Sequence, residues 1–136
     1  MEDHVQRKIE GYYTLAHYHM LLAYRLQDDN QSRTSLQLCN SAFLAMLRAL
    51  CWHENRFKLH ANLSMLDLIA CIHTDTNPGD DLLIHYTKLS DLALGPPPGN
   101  GTLENHNLDH IIRQTDMFLN RLFSRISGLH RSWRFD

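Results

Sequence analysis

No stretch of this 136-residue chain approaches the ~18–20 consecutive apolar residues that cross a bilayer, and the mean hydropathy is −0.37. A membrane span is therefore not expected. The opening residues, MEDHVQRK, carry no apolar core of a secretory signal. Cysteine is sparse. Cys39, Cys51 and Cys71 lie far apart in apolar surroundings, form no C-x-x-C pair, and by their odd number cannot close a disulfide framework. Buried free thiols in a reducing cytoplasm are expected. Neither sign of charge dominates. With 13 Lys and Arg against 15 Asp and Glu, the net charge of −2 offers no global basic excess to hold nucleic acid by charge alone. The chain has no G-x-x-x-x-G-K, G-x-G-x-x-G, H-E-x-x-H or G-x-S-x-G pattern, so motifs support neither nucleotide binding nor zinc-dependent hydrolysis, and no cofactor is expected.

Against these gaps stands an apolar fraction of 43%, enough to bury one core in a single domain spanning residues 1–136. Histidine is abundant, with ten residues. Protonating all of them would take the net charge from −2 to +8, and the sequence pI of about 6.5 sits where imidazole titrates. Surface charge, and solubility with it, should change sign in mildly acid buffer.

Apolar residues recur at helical spacing through most of the chain. From Asp3 to Asp29, Val5, Ile9, Tyr12, Ala16, His19, Ala23 and Leu26 step by three and four, and the polar run from Gln27 to Gln31 ends the segment. From Ser32 to His60 the inner row is Leu36, Cys39, Phe43, Met46, Leu50 and Phe57. Leu38, Ala42, Ala45 and Ala49 widen it to a second side, so this helix is either buried between neighbours or offers a face to a partner. Ser64 and Asp67 have capping-box spacing before an apolar run to Ile72, which predicts a short helix. After a turn at Thr76–Gly79, Asp80 and Asp81 suit the positive end of a further helix with Leu82, Tyr86, Leu89 and Ala93 inside. Residues 95–101, GPPPGNG, can only be an exposed loop. A last helix from Asn105 to Ser132 carries Leu108, Ile111, Ile112, Thr115, Phe118, Leu119, Leu122, Phe123, Ile126, Leu129 and, just past it, Trp133. No segment alternates as a strand does, and no repeat of solenoid length is visible. The expected fold is all-α: an antiparallel bundle of about five helices, with the first, second and last long.

Several side chains could carry chemistry. His106 and His110 are four apart, the spacing of two metal ligands on one helix face, with Glu104 and Asp109 nearby. That face lies opposite Leu122 and Ile126, so a metal would need further ligands from a loop or partner. No Glu-x-x-His pair points to a ferritin-like di-metal core. His17 and His19 are about 200° apart on a helix, which suits one surface and one core histidine rather than co-ligands. Near the C-terminus, Arg121, Arg125, Arg131 and Arg134 alternate with Trp133 and Phe135. Such a cluster can pair with phosphates and stack on bases, or form a rim of arginine stems around a buried tryptophan.

One further pattern has a family behind it. Arg125-Ile126-Ser127-Gly128-Leu129-His130 places an arginine, four residues and a histidine at the end of a long helix; Arg48…His53 repeats the spacing. This resembles the R-x(4–6)-H signature of HEPN domains, small all-α proteins of toxin–antitoxin and abortive-infection systems. The segments 41–52 and 62–68 are similar to the long-helix and "SLxxL" region of abortive-infection members. The resemblance implies a homodimer in which both Arg/His sets share one cleft and cut RNA without metal. Arg125 would steady the phosphate, His130 would act as base toward the ribose 2′-hydroxyl, and Arg121 and Arg131 would assist RNA binding. A neutral imidazole can take a proton near pH 7, and a guanidinium fork can hold two phosphate oxygens. The family favours a polar residue after the arginine, where this chain has Ile126. On an unbroken helix Arg125 and His130 lie about 140° apart, so they converge only if the helix loosens near Gly128. Beside this stands a second expectation, a non-enzymatic interaction or scaffolding module with a protein partner, motivated by the doubled apolar surface of the second helix.

Overall fold

The computed structural model describes residues 2–29, 31–55, 80–94 and 105–127. Within them the chain is entirely helical. Helix α1 spans Glu2–Asp28, α2 Ser32–Asn55, α3 Asp80–Leu94 and α4 Asn105–Ser127. The predicted short helix at 64–72, the loop at 95–101 and the last residues of the expected second and fifth helices lie outside the described residues.

The first turn between helices is made by backbone chemistry. The Gln31 N–H donates to the Leu26 carbonyl at 2.9 Å, closing α1, and the Gln31 carbonyl accepts the Ser35 N–H at 2.9 Å, opening α2. The chain then doubles back. Ser35 Oγ donates to the Ala23 carbonyl at 2.6 Å near the turn, and His4 meets Trp52 edge-on at 6.5 Å at the far ends. Cross-contacts fix the other directions. Tyr24 bonds Asp116 while Tyr13 packs on Phe123, so α4 runs opposite to α1. Gln37 bonds the Ala93 carbonyl while Phe43 packs on His85, so α3 runs opposite to α2.

Helix α2 is the hub. It packs on α1, α3 and α4, whereas α1 and α3 have no mutual contact among the described residues. This explains its wide apolar surface. Leu36, Cys39, Phe43, Met46 and Leu50 are buried, and so are Ala42, Ala45 and Ala49 on its other side. The second side is thus filled within one chain by neighbouring helices, and the sequence motive for a partner face on α2 falls away. Ile9, Ala16, Met20 and Ala23 close the core from α1, Leu82, Leu89 and Ala93 from α3. Helix α4 contributes Leu108, Ile111, Ile112, Phe118, Leu119, Leu122, Phe123 and Ile126 along one uninterrupted stripe. Thr115 and Asp116 are buried beside this stripe, while Arg113, Asn120 and Arg121 are exposed.

Candidate functional site

The second half of α4 and the first turn of α3 meet at an open pocket of about 210 Å³, lined by Asp81, Leu82, Phe118, Arg121, Leu122 and Arg125. The helical repeat places Arg121 and Arg125 one turn apart, with Phe118 and Leu122 on the inward side of the same turns. The floor is therefore apolar and the rim cationic. Arg121 Nη2 lies 3.2 Å from Asp81 Oδ2, and its guanidinium sits 5.3 Å from the Phe118 ring centre. Both partners of the ion pair are about half exposed, so the pair contributes roughly 0–1 kcal/mol. It holds Arg121 in place more than it holds the fold. Asp81 Oδ1 also accepts the Leu82 N–H at 2.9 Å, anchoring the carboxylate at the positive end of α3.

Beneath the pocket floor lies a buried polar node. Phe118 stacks on His85 with ring centres 4.9 Å apart, and Phe43 flanks both rings. His85 is only 4% exposed. Its Nε2 lies 2.9 Å from Thr115 Oγ1, and that hydroxyl donates its own hydrogen to the Ile111 carbonyl at 2.8 Å. With its hydrogen committed, Thr115 must accept from His85, which assigns the imidazole as the neutral Nε2–H tautomer. Burial, then the nearby charge of Lys88, lowers the His85 pKa to about 4. Cys39 also bonds Thr115, but burial outweighs that bond and pushes the thiol up to about 12. At neutral pH the thiol therefore stays protonated and the imidazole neutral. The node locks α2, α3 and α4 together under the pocket.

A third polar seam joins α1 to α4. The Tyr24 hydroxyl donates to the buried Asp116 at 2.8 Å. Asp109 accepts from Gln27 at 3.1 Å and from Arg113 at 2.8 Å, and these bonds, Gln27 first, hold its carboxyl below the usual range.

The residues singled out in the sequence divide clearly. Arg121 and Arg125 are brought into one pocket. His130 and Arg131 lie outside the described residues, as do Arg134, Trp133 and Phe135. Arg48 and His53, the second pair with the same spacing, are both half-buried on α2. His110 is exposed, and among the described residues no group of three His, Cys, Asp or Glu side chains could hold a metal ion. His17 and His19 are both half-buried rather than one inside and one outside. No described helix is long and apolar enough to cross a membrane. The sequence reading missed Asp81 as a pocket residue, because its partner lies 40 positions away on another helix. It also missed His85, although the 82–85–89 spacing places that side chain between two buried leucines.

No family model, curated protein or solved structure matches this chain. The pocket's chemistry alone suggests its ligand. Two guanidinium groups over an apolar floor can hold a phosphate in their forks while a planar or aliphatic body rests on Phe118, Leu82 and Leu122. Asp81 competes with such an anion for Arg121.

Proposed function

We propose that the chain is a HEPN-like helical protein of a defence or toxin system, a metal-independent endoribonuclease of the cytoplasm, active as a homodimer. The bundle in this reading is antiparallel with about five helices, the short one at 64–72 included. The observation that carries the reading is that Arg121 and Arg125 line one pocket at the end of α4, where the Arg/His signature begins. Arg125 holds the scissile phosphate, Arg121 and Arg131 bind the RNA strand, and His130 takes the proton of the ribose 2′-hydroxyl. The 2′-oxygen attacks phosphorus in line, the P–O5′ bond breaks and the 5′-oxygen takes a proton from water, giving a 2′,3′-cyclic phosphate and a 5′-hydroxyl, while His130 gives its proton back to solvent. The guanidinium offsets the charge that builds on the phosphoryl oxygens. The test is incubation with RNA in EDTA. Wild type is expected to cut it, and His130→Ala and Arg125→Ala to cut about 100-fold more slowly or worse. Equal survival of RNA with wild type and His130→Ala would remove the nuclease.

A second reading, the non-enzymatic interaction module, draws on a different surface. Among the described residues the exposed large apolar side chains lie off α2: Leu83, Ile84 and Leu94 on α3, Met117 on α4, and Leu15, Tyr18 and Leu21 on α1, these last three at 42%, 57% and 56% exposure. The α1 three form a row at three-residue steps on the side of the helix that faces away from its neighbours.

A further inference from the structure

We propose that the outer face of α1 is a self-pairing surface, and that its partner is α1 of a second copy of this chain, laid antiparallel across a two-fold axis at Tyr18. The inference rests on the interaction-module reading and gives that reading a partner.

Three independent features of α1 fit this arrangement. The first is the apolar centre. With about 100° between successive residues, Leu15 and Leu21 lie about 60° to either side of the Tyr18 direction, so the exposed row is symmetric about Tyr18. An isologous pair sets Tyr18 against itself and Leu15 against Leu21 of the second copy.

The second feature is charge. Arg7 is exposed near one end of the helix and Asp29 just past the other; Lys8, Glu10 and Asp28 are exposed on its flanks, about 80° from the Tyr18 direction, and Arg25 is exposed on the outward line. Arg7 and Asp29 both fall within about 20° of the Tyr18 direction, eleven residues to either side, or about 16 Å along the axis. The charges of this one pair are thus opposite where the apolar row is symmetric. An antiparallel copy of the same helix satisfies both: Arg7 meets Asp29, twice over. A parallel copy sets like charges together.

The third feature is Gly11. It lies in the interior of α1, where glycine is disfavoured relative to alanine. A Cβ built there would touch nothing within 4 Å, so no packing among the described residues accounts for it. It sits on the same outward line, seven residues from Tyr18. In the antiparallel pair the position opposite is Arg25, seven residues beyond Tyr18, and the missing side chain leaves room for that long one.

The pairing uses no residue of the arginine pocket. It therefore stands or falls separately from RNA cleavage.

Light scattering over a dilution series tests it. Wild type is expected to be a dimer, and Leu21→Glu and Tyr18→Glu to be folded monomers by circular dichroism, with dissociation raised at least about 100-fold. The charge pattern provides a sharper test. A variant with Arg7→Glu, and another with Asp29→Lys, should each dimerise several-fold more weakly than wild type. Mixed, they should form a heterodimer at least as tight as wild type. A wild-type dimer indifferent to Leu21→Glu overturns the α1 pairing but leaves an interaction module that uses another face. A wild-type monomer overturns the pairing too, and one whose melting temperature falls in Leu21→Glu identifies the chain's own residues as the cover. The module reading fails separately if wild type gives no cross-links in cells, either to itself or to other proteins.

Discussion

The outer face of α1 and the pocket between α3 and α4 share no residue and are built on opposite principles. The α1 face is convex, with an apolar middle and opposite charges at its ends. The pocket is concave, with an apolar floor and arginines on its rim, one of them already tied to a carboxylate. A convex apolar strip gains by meeting a second strip that removes it from water. A cationic pocket gains by meeting an anion, and salt weakens that gain where it spares the first. One small bundle thus carries two surfaces with different partners in kind.

The largest expected effect separates them by damaging one. Phe118→Ala should remove the pocket floor, the support for Arg121 and the ring stacked on His85, costing about 3–4 kcal/mol in urea denaturation. Self-association of the folded fraction should persist, because α1 does not line that pocket. Loss of both together would show that the two surfaces are not independent.

Acid should weaken the pocket side next. His85 is buried and neutral, with its pKa lowered to about 4, whereas the unfolded chain binds that proton near the ordinary value of 6.5. The unfolded state therefore binds more protons between these values. Stability contributed at neutral pH is lost as pH falls from about 6.5 toward about 4, by on the order of 2 kcal/mol. His85→Gln retains a donor for Thr115 and removes the titration. Its melting temperature should fall less between pH 7 and pH 4.5 than that of wild type, and parallel acid limbs would refute this role.

The smallest effect sharpens the α1 side. Gly11→Ala fills open space on a helix and should stabilise the isolated chain by about 0.5–1 kcal/mol. In the paired form the added methyl faces a neighbour, so the gain seen on dilution to monomer should shrink in concentrated protein. An equal gain at both concentrations would say that nothing approaches Gly11.

The helices were legible because their apolar spacing is regular. The nine positions from Leu108 to Ile126 expected to face inward are all buried, since nothing on α4 competes with its stripe. The second side of α2 was visible as Ala42, Ala45 and Ala49, but not whether it faced kin or stranger. That depends on contacts between segments far apart in sequence. The row of Leu15, Tyr18 and Leu21 was equally present in the sequence and was passed over, because a helix already supplied with one inner face gives no local sign of a second. His85 and Asp116 escaped for the reason that polar residues are assumed outside; each is buried because a hydroxyl, Thr115 or Tyr24, waits for it on the facing or neighbouring helix. The pairing of Asp81 with Arg121 follows from tertiary closure and has no local signal.

The short turn at Asp29–Gln31 has a consequence for synthesis. Translation runs from the N-terminus, so the α1–α2 hairpin can latch through Ser35 and Ala23 while Phe43, Met46 and Leu50 still lack the α4 wall that will cover them. At about 5–20 residues per second, the ribosome needs about 4–14 s to add the residues between Asn55 and Ser127. For that interval the nascent hairpin presents a naked oily flank.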